Sequence, residues 1–297
     1  MVRPQSTIKR TARVSGKGYW SGTEVDVEFR PTTENQGVTF VRRDLPSQPR
    51  IRASVVNRVK GPRRTTLVEG GHSVEMVEHI LAALQGLQID NCEVWVNQPE
   101  MPGCDGSSAY FVEALLAAER LEQQAIKPYL TIDSVIRVGD DSCWIQCEPA
   151  ESSGLDLTYE LEYWQPSIGA QHFSLMINPS NFLDELASAR TFVLESEAKL
   201  LREQGLGKHV GYDEILVFGE DGPIQNCLRY SNECARHKML DVVGDLALTG
   251  VDIHGKLTAF KSGHQLNAMM ATALTKQIET KTHSYRDFEN RLFNKSA

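Results

Sequence analysis

The sequence predicts an α+β fold made of two halves, each a layer of strands and helices, packed together. Three observations lead there. Short alternating runs crowd residues 6–60, two apolar helical runs follow, and strands and then helices return after residue 127. No segment repeats another by residue identity, and the second half is not an obvious copy of the first. Taken in order, "EVDVEFRP" and "GVTFVRRD" alternate apolar and polar residues between Gly, Pro and Asn, as half-buried strands do. A helix is expected next. Ser73 is its predicted N-cap, Glu75 falls in its first turn, and "MVEHILAALQGL" stays apolar at helical spacing to Gly86. "CEVWVNQP" reads as a strand and "AYFVEALLAAERL" as a second helix. The polar, proline-containing "EQQAIKPYL" marks a boundary, which gives domains 1–126 and 127–297. Beyond it, strands are expected between Leu130 and Met176 and helices between Asn181 and Gln204. A strand at "EILVF", a helix from Cys234 and a last helix over Leu266–Gln277 complete the chain.

The chain has 297 residues, 41% of them hydrophobic, enough for one large domain or two ordinary ones. Its net charge is −8 and no basic stretch resembles a nucleic-acid footprint, so a small ligand is the expected partner and nucleic acid is not. "MVRPQSTIKR" lacks the apolar core of a signal peptide, and no apolar run approaches the roughly 18 residues of a membrane span. The six cysteines, at 92, 104, 143, 147, 227 and 234, are scattered and are expected to be reduced thiols. Cys143 and Cys147 would share one face of a strand, but no second pair completes a metal site.

The chemistry concentrates in "CARHKMLDVVGDLALTG", from Cys234 to Gly250. Leu240, Val243, Gly244, Ala247 and Val251 make an apolar stripe on that helix, yet it also carries His237, Lys238, Asp241 and Asp245. His237 and Asp241 stand one turn apart on one face and can offer a nitrogen and an oxygen to one ion. Alone, the pair reads more simply as a helical hydrogen bond. His79 alone, inside the apolar "MVEHILAAL", reads as a satisfied core histidine, but Glu78 beside it is a carboxylate that burial makes costly without a partner or a role. Together, His79, His237 and Asp241 form a two-His, one-carboxylate set that leaves a fourth position for water. Glu78 can then act as general base and His264, in "FKSGH", as general acid. Asp245 can orient that histidine or hold it protonated, and Lys238 suits a phosphate or a developing oxyanion.

These segments resemble the zinc-dependent UDP-3-O-acyl-N-acetylglucosamine deacetylases of lipid A biosynthesis. The resemblance rests on "VEHILAALQGLQIDN", "RHKMLDVVGDLALTG", "FKSGHQLN", "SARTF" and "PGCDGSSAYFV", in colinear order from about Thr7 to Leu274. It implies two similar-sized domains, each a small, mostly antiparallel sheet packed on two helices, with the helices sandwiched between the sheets and the site between the halves. It implies that His79, His237 and Asp241 hold Zn2+ (or Fe2+ in the cell), that Glu78 is the base and that His264, supported by Asp245, is its protonated partner. Thr191 would help hold the tetrahedral oxyanion, Phe192 would pack on substrate, and Lys238 would lie near the nucleotide diphosphate. The implied reaction removes the N-acetyl group of UDP-3-O-acyl-N-acetylglucosamine, the committed step of lipid A synthesis. A cytoplasmic monomer without stable membrane insertion is expected.

The chain departs from the family pattern at three places. Trp20, in "GKGYWSG", stands where the family usually has His. "GLGKHVGYDEILVF" has His209 and Val210 for a usual Gly pair and adds Lys208, within an insert near 193–215 that would line the passage. Cys104 stands where the family is usually apolar, and Asp105 is expected to shape its turn. Three other readings stay open on the sequence. A non-haem Fe(II) oxygenase also uses two His and one carboxylate, though usually on a β-barrel. A nucleotide-sugar-binding paralogue would need neither Glu78 nor His264. A deacetylase of a different amino sugar is compatible with Trp20 and the altered insert.

Overall fold

The computed structural model describes residues 2–151 and 153–293. In the first half, strands Ala12–Lys17, Glu24–Pro31, Cys92–Val96, Val38–Arg42 and Arg50–Arg52 lie side by side in that order. Neighbours are antiparallel, except that Val38–Arg42 runs parallel to Cys92–Val96. Alternation orients the sheet: Val25, Val27 and Phe29 are buried along one strand. The second half orders Ile136–Gly139, Trp144–Glu148, Asp252–Phe260, Leu155–Glu162 and Ala170–Ile177, and here Leu155–Glu162 runs parallel to Asp252–Phe260. A sixth strand, Tyr129–Thr131, pairs parallel with the start of Asp252–Phe260.

In both sheets the five-strand path runs first, second, fifth, third, fourth in chain order, with the same single parallel pair. The second half thus repeats the topology of the first, although residue identity discloses no copy. Strand pairing requires inward apolar residues of about the right size rather than particular ones, so topology outlasts identity. Each half then inserts its own addition after the fourth strand. The first adds the meander Arg58–Val59, Thr66–Glu69 and His72–Glu75. The second adds a parallel pair, Phe192–Leu194 with Leu216–Phe218, and the helical segment between its strands.

Six helices lie among the described residues: α1 (Glu78–Gly86), α2 (Ala109–Ala117), α3 (Pro179–Glu185), α4 (Glu195–Glu203), α5 (Glu233–Leu246) and α6 (His264–Phe293). The main ones, α1, α2, α5 and α6, are sandwiched between the two sheets, and one apolar core joins both halves. Two expectations need correction. Ser73 does not cap α1: it lies in the strand His72–Glu75, opposite Val68, and the helix begins at Glu78 after a left-handed turn at Met76. Strand pairing outweighs the local capping signal there. The segment "EQQAIKPYL" begins in a strand: Arg120–Ile126 pairs with the buried Pro4–Ile8, and its polarity reflects its exposed place on the outside of that pair. The last helix begins at His264 and extends well beyond Gln277.

Arg3 fastens the halves. Its guanidinium reaches Asp90 at 2.7 Å and Asp252 at 2.7 Å, and Lys127 reaches Asp90 at 3.0 Å. Burial works against the Asp90 carboxylate, but Arg3 and Lys127 outweigh it and hold its pKa below the usual range. We propose the domain division between Ile126 and Lys127, where this ribbon ends. No described helix is long and apolar enough to cross a membrane.

α1 and α5 cross at the centre of the molecule. A methyl group on Gly244 would stand 2.1 Å from the carbonyl oxygen of Glu78. The helix axes can approach this closely because Gly244 has no side chain. Gly244→Ala is therefore expected to lower unfolding stability by about 1–3 kcal/mol, the usual cost of overpacking a core. Urea unfolding measures this, and a parental midpoint would contradict the close approach.

Candidate active site

The α1–α5 crossing sets three ionisable side chains face to face. His79 comes from the first turn of α1, and His237 and Asp241 from one face of α5. All three are buried, and their candidate ligand atoms lie within 4.8 Å of one another. His237 Nε2 is 3.4 Å, and His79 Nε2 3.8 Å, from Asp241 Oδ1. The imidazoles meet edge to face at 5.2 Å.

The protonation states favour a cation. Burial, reinforced by His237, lowers the His79 pKa to about 3, so the ring is neutral. Burial also lowers that of His237. His237 Nδ1 lies 3.1 Å from the carbonyl oxygen of Ala189, which fixes the proton there and leaves Nε2 as a lone pair. Burial opposes the Asp241 carboxylate, but Lys238 and the surrounding histidines lower its pKa on balance. Lys238 Nζ donates to Asp241 Oδ2 at 2.9 Å, while Oδ1 is buried with no hydrogen-bond donor among the described residues. A buried carboxylate oxygen facing two neutral imidazoles, one of them with its Nε2 lone pair free, is a donor set suited to a divalent cation, and these residues fit one.

A second group lies beside the first. His264, at the start of α6, places Nδ1 2.9 Å from Asp245 Oδ2 and Nε2 3.8 Å from Glu78 Oε1. Burial disfavours the imidazolium, but Asp245, Asp241 and Glu78 outweigh it and raise the pKa of His264 to about 9. Burial raises that of Glu78 to about 7; Asp245 and Asp241 push the same way and His264 opposes them. A carboxyl near neutrality beside an imidazolium is a proton-transfer pair suited to general acid–base work at physiological pH.

Thr65 and Asn267 are functional neighbours that sequence reasoning does not single out. Thr65 donates its backbone N–H to Glu78 Oε2 at 2.9 Å and its hydroxyl to Asp245 Oδ1 at 2.5 Å. Asn267 donates to Asp245 Oδ2 at 2.8 Å. Thr65 precedes an ordinary strand, so no spacing marks it. Asn267 stands three residues after His264 in "HQLN", and that helical spacing was its only signal.

The group opens into a cavity of about 650 Å3. Thr191, Phe192 and Lys238 line it beside the His–His–Asp set. Phe192 packs edge to face on Tyr163 and Phe218, and Lys238 Nζ stands 6.0 Å from its ring centre. One arm is apolar, lined by Leu201, Leu206, Val210, Ile215 and Val217. Lys261, in the same loop as His264 but passed over in the sequence, also lines the cavity.

Trp20 forms part of the wall, with the Arg64 guanidinium 5.1 Å from its ring. Its loop is held by the buried Glu100, which accepts from the backbone N–H groups of Trp20 and Ser21 at 2.7 and 2.9 Å. His209 Nε2 meets the Gly18 carbonyl oxygen at 2.8 Å, so the departure at 208–210 ties the insert to this loop, while Lys208 is exposed. Asp105 accepts from Ser107 N and Oγ and from Arg229, and shapes its turn. The six cysteines are free, and Cys143 and Cys147 hold no metal cluster among the described residues.

The chain is similar to known proteins over most of its length. Residues 5–276 match the family model described as UDP-3-O-acyl N-acetylglycosamine deacetylase. A relative from Psychrobacter arcticus is 38% identical over 91% of this chain and 84% of its own length. One from Thioalkalivibrio sulfidiphilus is 36% identical over 93% and 91%, and one from Haemophilus ducreyi 34% identical over 91% and 89%. All three are named UDP-3-O-acyl-N-acetylglucosamine deacetylase. With the family model matched over residues 5–276 and relatives 34–38% identical over most of both chains, the chain belongs to the UDP-3-O-acyl N-acetylglycosamine deacetylase family.

Proposed function

We propose that this protein is a metal-dependent amidohydrolase that removes the N-acetyl group of UDP-3-O-acyl-N-acetylglucosamine, giving acetate and UDP-3-O-acyl-glucosamine for lipid A synthesis. The single observation that carries the mechanism is the meeting of Glu78 and His264 next to the buried His79–His237–Asp241 set. His79, His237 and Asp241 would hold the ion; two nitrogens and one carboxylate oxygen suit Zn2+, and Fe2+ is also compatible. When bound, such an ion acidifies a water and polarises the acetamide carbonyl.

The protein's own groups do the rest. Glu78, ionised, accepts a proton from the attacking water through Oε1, since Oε2 is engaged by Thr65. His264, protonated and held by Asp245, stabilises the developing oxyanion and returns a proton to the departing amine. The Thr191 hydroxyl, at the cavity wall, helps to hold the oxyanion. Lys238 supplies positive charge for the diphosphate, and Phe192 packs on the sugar. The apolar arm bordered by the 193–215 insert suits the acyl chain. We place this work in the cytoplasm and treat the protein as a monomer.

Mass spectrometry after incubation with UDP-3-O-acyl-N-acetylglucosamine tests the reading directly; intact substrate would refute it. His237→Ala should lose both bound metal and turnover, and full metal occupancy by elemental analysis would remove His237 from the set. Glu78→Ala should keep the metal and lose about 10²–10⁴-fold in rate, as expected for loss of a general base. A parental rate would move that role elsewhere.

kcat/KM should be bell-shaped in pH. It rises as Glu78 loses its proton, from a pKa raised toward about 7, and falls as His264 loses its own, from a pKa raised toward about 9. A bound dication shifts both limbs downward, because positive charge favours the deprotonated forms. Asp245→Asn removes a charge that raises the His264 pKa, so its alkaline limb should fall at lower pH than in the parent. An alkaline limb unmoved in both Asp245→Asn and His264→Gln would reject His264 as the acid.

A further inference from the structure

We propose that Thr65 is a positioning residue that sets the proton-transfer pair, fixing the free oxygen of Glu78 and the ring plane of His264 through one rigid point. The proposal rests on the reaction given above and adds to it a residue that neither the sequence motifs nor the donor set includes.

Thr65 is 1% exposed and has no surface role. It belongs to the turn before the strand Thr66–Glu69, and its carbonyl oxygen accepts the N–H of Val77 at 3.4 Å, just before α1. Its backbone and side chain then diverge. The N–H donates to Glu78 Oε2 at 2.9 Å, and Oγ1 donates to Asp245 Oδ1 at 2.5 Å. The same Oγ1 lies 3.4 Å from His264 Nδ1. Asp245 accepts three hydrogen bonds, from Thr65 on Oδ1 and from His264 and Asn267 on Oδ2. Its carboxylate therefore cannot rotate without breaking at least one of them.

The bond to Oε2 leaves Glu78 with Oε1 as the oxygen facing His264 Nε2, at 3.8 Å. That gap is too long for a direct hydrogen bond and leaves Oε1 free for a proton from another donor. The bond to Asp245 turns its other oxygen onto Nδ1, which aims Nε2 into the same space. One residue, from the meander inserted in the first half, thus aligns a base on α1 with an acid on α6 through a carboxylate on α5. A misalignment of about 1 Å at such a pair can cost on the order of 10²-fold in rate.

The test separates the two arms. Thr65→Val keeps the shape and the backbone N–H but removes the hydroxyl. kcat should fall by about 10- to 100-fold, the scale of losing a buried hydrogen bond to a charged group. KM and bound metal should stay near parental, because Thr65 makes no hydrogen bond to the His–His–Asp set and does not itself line the cavity. Thr65→Ser restores the hydroxyl and should recover most of the lost kcat. In an Asp245→Ala background, Thr65→Val should lower kcat no further, since its effect passes through Asp245. Thr65→Ala replaces the valine variant if that one does not fold. A parental kcat in Thr65→Val, no recovery in Thr65→Ser, or an undiminished effect in the Asp245→Ala background would each overturn the proposal.

A readout without turnover keeps this separate from the reaction itself. The Nδ1–H proton resonance of His264, assigned by its loss in His264→Gln, should shift or broaden in Thr65→Val and return in Thr65→Ser. An unchanged resonance counts against Thr65 as its positioning residue. A parent that leaves UDP-3-O-acyl-N-acetylglucosamine intact counts against the reaction, and the resonance then decides the role of Thr65 alone.

Discussion

The site depends on the contact between Gly244 and the Glu78 carbonyl. Helices usually pack with axes about 8–10 Å apart, and the lower end of that range needs a small residue at the crossing. Gly244 supplies it, where even a methyl group would meet Glu78 O at 2.1 Å. The consequence is positional. Glu78 and His79 sit at the N-terminal end of α1, beside the crossing, while His237 and Asp241 stand on α5 two turns and one turn before Gly244. Were the helices to separate, His79 would leave the ligand group while His237 and Asp241 kept their spacing. The i, i+4 pair is a property of one helix, whereas the third ligand is a property of the packing.

The duplicated topology explains where that packing comes from. α1 and α5 occupy corresponding places, each preceding the fifth strand of its own sheet. They face each other because each must bury its apolar side and both sheets already cover the outer faces. The two helices contribute unequally: one imidazole and a carboxylate from α1, one imidazole and two carboxylates from α5. Function has diverged on an architecture that stayed symmetric. The two insertions diverge likewise. The first-half meander brings Thr65 beneath the acid–base pair, and the second-half insertion builds the apolar arm of the cavity.

What the sequence disclosed follows from the range over which each interaction acts. The helical pair His237–Asp241, the apolar frame around His79, and the alternation in Glu24–Pro31 are local periodicities, and local periodicity is written in neighbouring residues. Thr65, Glu100 and Arg3 escaped notice because their partners are remote in the chain. Thr65 meets Asp245 180 positions away, and Arg3 meets Asp252 249 positions away. Arg120–Ile126 shows no clear strand alternation because it is the exposed outer strand of a pair whose buried partner, Pro4–Ile8, is remote in the chain. Ser73 looked like a cap because its side chain suits one, yet pairing with Val68 claimed its backbone first. The repeated topology was invisible for a different reason: sheet order is a relation among strands, and no strand encodes its place in it.

Electrostatics links the fold to the chemistry. Glu78, Asp241 and Asp245 are buried together, and the positive groups among them are Lys238 and the His264 imidazolium. With all three carboxylates ionised, negative charges outnumber positive ones by three to two. Burying an unmatched charge is costly, and a protein commonly meets that cost by moving a pKa. Here two groups shift upward and one downward. The carboxyl of Glu78 rises toward neutrality, the imidazole of His264 rises above it, and His79 stays neutral. The surplus falls where Asp241 Oδ1 has no donor among the described residues and two imidazole nitrogens face it, which is where a dication would do most to relieve it. The same charge would draw the Glu78 proton away while Asp245 keeps that of His264. The arrangement that makes burial of these groups tolerable is therefore also the one that divides them into a base and an acid.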